Sequence, residues 1–271
     1  MSKRIAFIGG GNMASAIIGG LIGQDFAPGH IDVVEPFAEA RDKLKNGYGI
    51  VAQAQPGAFL AQVDLVIWAV KPQTFKEAAL QVQPHTQNAL HLSVAAGIRS
   101  DSIAHWLGTE RVVRAMPNTP ALIGKGITAL FARPAVTTQD KDWVSQVVAT
   151  TGEFLWLDAE NQLDAVTALS GSGPAYMFYF MEAMTDAGAD MGLTREQAYQ
   201  LAVATFIGAG ELARSSTKSP EILRQGVTSK GGTTYAAISS MENDNIKALF
   251  VRAMHAARQR AKELGDEFGG A

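Results

Sequence analysis

The chain contains no cysteine. That excludes a disulfide framework, a thiolate nucleophile and any zinc site built on sulfur, and it fits a reducing cytosol. An excess of one charge is lacking too. With 23 Lys and Arg against 26 Asp and Glu, the sequence offers neither a basic stripe for nucleic acid nor a polybasic membrane anchor. Long hydrophobic runs are also missing. Lys3-Arg4, an apolar stretch and Ala14-Ser15-Ala16 imitate a secretory signal, but Gly9-Gly10-Gly11-Asn12 breaks the apolar helix such a signal needs. No later segment supplies the roughly 18 apolar residues of a membrane span. None of the five histidines (His30, His85, His91, His105, His255) falls in a glycine-rich or strand-end motif, and no pair has metal-ligand spacing on one helix, so no metal is expected. The expectation is a cytoplasmic protein with small-molecule partners, no nucleic acid and no membrane.

What is present divides in two. The 271 residues, 47% of them hydrophobic, suffice for two modest domains. In the first, the runs "RIAFIG", "IDVV", "LVIWAV", "LHLSVAA", "RVVRAM" and "GITALF" are short and apolar, the kind buried on both faces of a parallel sheet. Helical patterns over 12–22, 38–46, 72–82 and 140–150 fall between several of them. Strand and helix in alternation predict a Rossmann-type doubly wound α/β sheet over residues 1–160. After "EFLWLD" the pattern turns to long helices with no further strands, predicting an all-helical domain over 161–271. Its helices are expected over 175–191, from the capping box Thr194-Arg195-Glu196-Gln197 to about Arg214, from Ser219-Pro220, and over 245–264. Met177, Phe178, Tyr179, Phe180, Met181 and Met184 give this domain apolar faces. They read as packed core rather than a cofactor box, and their number also points to burial against a second subunit.

Gly9-Gly10-Gly11-Asn12-Met13-Ala14 follows the first strand and opens a helix, satisfying the G-x-G-x-x-G/A pattern. Its first glycine makes a tight turn, its second lets backbone approach a pyrophosphate, and its third position packs helix on strand. Free amides at the helix start then meet the phosphates, which predicts NAD(H) or NADP(H) as cofactor. Glu35 ends the second strand, 26 residues after Gly9, where an acid accepts from the ribose hydroxyls of NAD(H) and repels the extra phosphate of NADP(H). Ala69-Val70-Lys71-Pro72, "SVAAG" with Ala95, Ala96 and Gly97, and "MPNTP" with Asn118 are expected at the carboxyl ends of parallel strands, where small residues leave room for a nicotinamide ring. Lys71 either bonds the cofactor or is a solvated helix-start lysine.

"ALSGSGPAYMF" (168–178) and "PEILRQGVTSKGGTTYAAISSME" (220–242), together with Ala69-Val70-Lys71-Pro72 and "MPNTP", closely resemble the pyrroline-5-carboxylate reductases, and the resemblance covers essentially the whole chain. It implies reduction of L-1-pyrroline-5-carboxylate to L-proline by NADPH or NADH, and a helical domain that interlocks with its twin in a homodimer, sometimes built into a larger ring. It also implies that Ser229, Gly231, Gly232, Thr233 and Thr234 hold the substrate carboxylate, with Thr234 near the ring nitrogen as the catalytic candidate. Beside the resemblance, the residues themselves make sense. The glycines allow a tight turn whose amides, at a helix start near Thr233, form an anion site to which Ser229 and Thr234 add hydroxyls. A glycine C-cap followed by a hydroxyl N-cap would explain only one glycine and one hydroxyl. Two departures argue against strict NADPH use. Glu35 stands where many relatives carry a small or amide side chain, and Gln55-Pro56 where some have an asparagine near the adenosine.

Two rivals compete with this reading. β-Hydroxyacid dehydrogenases resemble "GSGPAYMF" at its glycines but place a catalytic lysine where this chain has Met177, and alcohol oxidation without that base lacks its proton acceptor. A nucleotide sensor without turnover needs the Gly9 loop but not the anion site at 229–234.

Overall fold

The computed structural model describes residues 3–269. Seven strands form one sheet: β1 (Ile5–Ile8), β2 (Ile31–Val34), β3 (Leu65–Trp68), β4 (Leu90–Ser93), β5 (Val112–Met116), β6 (Gly126–Ala132) and β7 (Gly152–Trp156), in the order β2-β1-β3-β4-β5-β6-β7. The first five run parallel, β6 is antiparallel to β5, and β7 is parallel to β6. Helices α1 (Asn12–Ile22), α2 (Ala38–Tyr48), α3 (Pro72–Val82), α4 (Ser100–Leu107), α5 (Thr138–Ala149) and α6 (Gln162–Val166) accompany the strands.

The strands read as unbroken apolar runs because both faces are covered. Ile5 and Phe7 of β1 and Leu65 and Ile67 of β3 face one core, which α1, α2 and α5 close with Ile17, Ile18, Leu44 and Val144. Their neighbours in sequence, Ala6, Ile8, Val66 and Trp68, face a second core closed by Phe75 of α3 and Ile103 and Trp106 of α4. This is the doubly wound arrangement the alternation of elements predicts.

Beyond α6, the segment Thr167–Gly171 forms one π-turn, followed by α7 (Gly173–Asp190), α8 (Arg195–Arg214), α9 (Pro220–Gly226), α10 (Thr233–Asn243) and α11 (Ile246–Gly269). The α8 start carries both halves of its capping box: the Thr194 hydroxyl accepts from Gln197 N–H at 3.2 Å, and the Gln197 side chain accepts from Thr194 N–H at 3.0 Å.

Two compact units result, Met1–Ser172 together with Ala257–Ala271, and Gly173–Ala256. The expected division at 160 differs from this one for a physical reason. Leu163 and Ala168 are buried in the first unit, and Ser170 O accepts from Asn118 Nδ2 at 3.2 Å, so α6 and the π-turn stay with the sheet. The end of α11 belongs there as well. Asp266 pairs with Arg99, Gly269 O accepts from Ser102 Oγ at 3.0 Å, and Leu264 packs on Gly97.

The second unit departs from the core reading of its apolar residues. In the single chain Met177, Phe178, Tyr179 and Met184 are exposed, with Tyr179 at 69%. The unit buries chiefly small residues, Thr185, Gly188, Ala198 and Ala202, along the α7 and α8 contact.

Candidate active site

The loop after β1 is held by backbone. Gly9 N–H donates to Val34 O at 2.8 Å, and Gly9 takes φ +95°, where a Cβ would lie 2.6 Å from Ala69 O. Only glycine fits there. Gly10 is confined by Leu44 and Glu35, whereas a Cβ on Gly11 would meet nothing within 4 Å. Gly11 is the N-cap of α1 with no side-chain cap, and the first turn-closing bond runs from Ser15 N–H to Gly11 O at 2.9 Å. The amides of Asn12, Met13 and Ala14 therefore have no intrahelical acceptor. Asn12 is exposed, Met13 half-buried, and Ala14 wholly buried under the first core. An uncapped helix start beside an open glycine is the feature a pyrophosphate fits, and the chain supplies it.

Glu35, just past β2, is buried. Its Oε2 accepts from Gly10 N–H at 2.7 Å and its Oε1 from Phe37 N–H at 2.8 Å. Two amides thus satisfy the carboxylate and leave lone pairs for a ribose hydroxyl. The three strand-end motifs lie at the carboxyl ends of β3, β4 and β5, which are parallel to β1. Ala69 and Val70 are half-buried. Lys71 is exposed and caps α3 through its backbone, its carbonyl accepting from Thr74 N–H and Oγ1 at 3.1 Å each, with Pro72 first in the helix. Ala95 is buried, Ala96 and Gly97 partly so, and Gly97 turns with φ +74°. Asn118 is buried with both ends of its amide engaged, Nδ2 donating to Ser170 O and Oδ1 accepting from Ile127 N–H at 3.0 Å. It braces the loop after β5 against β6 and the π-turn.

In the second unit, residues 228–234 join α9 to α10. Thr228 spends its hydroxyl on Arg224 O at 2.6 Å, and Gly232 N–H closes the turn on Ser229 O at 3.0 Å. The positive φ belongs to Gly231 (+74°), while Gly232, the N-cap of α10, has φ −82° and ψ 176°. What Gly232 answers to is space: a Cβ there would lie 2.6 Å from Ser229 Oγ. The N-cap has no side-chain bond, so the amides of Thr233, Thr234 and Tyr235 are open, and among the described residues the hydroxyls of Ser229, Thr233 and Thr234 bond no other group of the chain. Ser229, Gly231 and Thr233 are exposed, and Gly232 and Thr234 half-exposed. Six donors gather at one helix start, and an anion with further acceptors is what they can bind.

Sequence reasoning did not single out Arg41, whose guanidinium donates from Nη1 to Glu35 O at 2.9 Å and to Pro36 O at 2.7 Å. Its place in a solvated helix face gave no signal, since the bonds run to backbone carbonyls.

A doubly wound sheet with an open glycine loop at the start of α1, joined to a helical unit whose turn at 229–234 gathers unspent donors, has the layout of a dinucleotide-dependent oxidoreductase. A family model described as pyrroline-5-carboxylate reductase dimerisation matches residues 160–264, and one described as NADP oxidoreductase, coenzyme F420-dependent, matches 4–97. A pyrroline-5-carboxylate reductase of Pseudomonas aeruginosa is 44% identical over 99% of both chains. The solved reductase of Coxiella burnetii is 38% identical with a TM-score of 0.90, covering 97% of this chain and 99% of its own. That of Plasmodium falciparum, described with NADP bound, is 27% identical with a TM-score of 0.87 over 97% and 98%. The chain belongs to the pyrroline-5-carboxylate reductase family.

Proposed function

We propose that the chain reduces L-1-pyrroline-5-carboxylate to L-proline with NADH or NADPH, as a cytoplasmic homodimer that can assemble into a larger ring. The observation that carries the reaction is the turn at 229–234, where open amides and unspent hydroxyls meet at the start of α10. A carboxylate docks on those donors, and because they are neutral the positive C=N carbon keeps its electrophilicity. Thr234 stands one turn position inside the helix, where its hydroxyl orients the ring nitrogen. The α1 amides and Gly11 would hold the pyrophosphate, Glu35 the ribose, and the small residues Ala69, Ala95, Ala96 and Gly97 the nicotinamide. Bound there, the dinucleotide supplies the hydride. A cyclic imine takes its proton from water near neutral pH, so the protein has only to position its substrate, in keeping with the absence of histidine from both motifs.

The interlocking partner is expected at α7 and α8, whose exposed Phe178, Tyr179, Met184, Tyr199 and Leu201 exceed what an isolated helical unit leaves in water. Among the described residues no helix is long and apolar enough to cross a membrane.

The test follows absorbance at the nicotinamide band with pyrroline-5-carboxylate, run in parallel with NADH and NADPH. Oxidation of either cofactor supports the assignment. A flat trace with saturable cofactor binding points to a sensor.

A further inference from the structure

We infer that Arg41 is the residue that admits the adenosine 2′-phosphate and so lets this chain accept NADPH despite Glu35; the inference rests on dinucleotide binding at the Gly9 loop. Glu35 alone argues for NADH. Yet its carboxylate is turned inward, both oxygens occupied by the Gly10 and Phe37 amides, and it is only 6% exposed. Arg41, adjacent to it, does not pair with that carboxylate. Other arginines of the same unit do pair with acids: Arg4 with Asp32, Arg111 with Asp140, Arg114 with Glu160. Arg41 instead hangs from the carbonyls of Glu35 and Pro36 by one nitrogen, Nη1, and is half-exposed. Among the described residues its Nη2 and Nε donate to no other group of the chain.

The consequence is a guanidinium immobilised at the carboxyl end of β2 with a free donor edge. A mobile lysine would have to be ordered on binding; this fork is ordered already, and two parallel N–H groups match a phosphate's oxygens. One of the carbonyls that hold it belongs to Glu35 and the other to Pro36 next to it, so the cation is fixed in register with the place where the 2′-oxygen would meet Glu35. Glu35 then serves the ribose hydroxyls of NADH, and Arg41 offsets its charge when a phosphate replaces one of them.

The experiment measures binding of adenosine 2′,5′-bisphosphate and of AMP by calorimetry to the full chain and to Arg41→Ala and Arg41→Gln, with the Michaelis constants of NADPH and NADH alongside. Arg41→Gln keeps a donor for the two carbonyls but no charge. We expect both variants to lose about tenfold or more in bisphosphate affinity while AMP moves less than about twofold, and the NADPH to NADH ratio of Michaelis constants to rise in step. An equal loss for both ligands would make Arg41 a brace of the turn after β2 and overturn the inference, as would no change for either. If the parent protein binds neither ligand, the Gly9 reading itself fails, which is a distinct result.

Discussion

Gly232 and Gly231 are neighbours with different obligations. Gly231 needs its positive φ, whereas Gly232 has an ordinary backbone and is constrained by Ser229 Oγ, 2.6 Å from where a Cβ would go. Gly232→Val should therefore push Ser229 out of the anion turn and fill the approach of the carboxylate. Substrate affinity is expected to fall at least tenfold while NAD(P)H binding, which depends on the first unit, holds. Thr234→Ala removes one hydroxyl that bonds nothing else in the chain, at an expected cost of about 1 to 3 kcal/mol in turnover over Michaelis constant, with Thr234→Ser retaining most activity. Kinetics indistinguishable from the parent would reduce Thr234 to a helix-start residue and leave the amides and Ser229 as the site. The hydroxyls and glycines of this turn were legible in the sequence. Which glycine needed conformation and which needed room was not, because that depends on a side chain three residues away.

His91 belongs to the same scale but to stability. Burial in β4 pushes its imidazole down to about 4, and the nearby Arg111 adds to the effect. Its Nδ1 accepts from Trp68 Nε1 at 3.1 Å, so a second proton has no lone pair to take without breaking that bond. The folded state thus disfavours the charged form. Stability is full above pH 6.5, the unfolded value, and declines as pH falls toward 4, by about 3 kcal/mol once both states are protonated. Denaturation midpoints between pH 4 and 7 should show this slope, and His91→Phe should flatten it. A parent profile without the slope would place the proton elsewhere.

Elements are where the sequence speaks most clearly, and where it is silent the reason is long-range. Helices α1 and α3 begin and end where glycine, proline and periodicity place them, and the α8 capping box is present as written. The expected start of α5 at Asp140 came late because Thr137 and Asp140 form a capping box of their own, with Thr137 Oγ1 accepting from Asp140 N–H at 3.1 Å. That signal was available. The start of α4 had none, since the side chain of Arg99 at its N-cap makes no capping bond. Its cap comes from 60 residues away: Glu160 accepts from Ser100 N–H and Oγ at 2.6 Å each and from Arg114 Nη1 at 2.7 Å. Glu160→Ala strands the Arg114 charge and the Ser100 amide together, and should cost about 2 to 3 kcal/mol in denaturant unfolding. Since α4 follows the Ala95 to Gly97 loop, a weaker grip on NAD(P)H should accompany the loss. A change below about 0.5 kcal/mol would show that the carboxylate is a surface ornament of α4.

At the scale of the molecule, the sheet was predictable because parallel strands buried on both faces leave an apolar signature that needs no partner to read. The helical unit was harder. Apolar stripes say that something covers them without saying whether the cover is the same chain, and here Ile207, Leu212 and Met241 are as exposed as Tyr199. Sedimentation at micromolar concentration should show no monomer, and replacing Phe178 and Tyr179 by charged residues should yield monomeric or aggregated, poorly active protein. A stable and active monomer of the parent chain would overturn the dimer.

The first unit takes its last piece from the far end of the chain: residues from 257 on return to Gly97, Arg99 and Ser102 after the helical unit has been laid down. During synthesis the sheet can form as soon as its strands emerge, but the loop after β4 waits for more than 150 further residues before Leu264 and Asp266 reach it. Contacts so distant in sequence carry a high closure entropy and form late. A growing chain therefore completes the core of its sheet before the loop after β4 gains its last contacts.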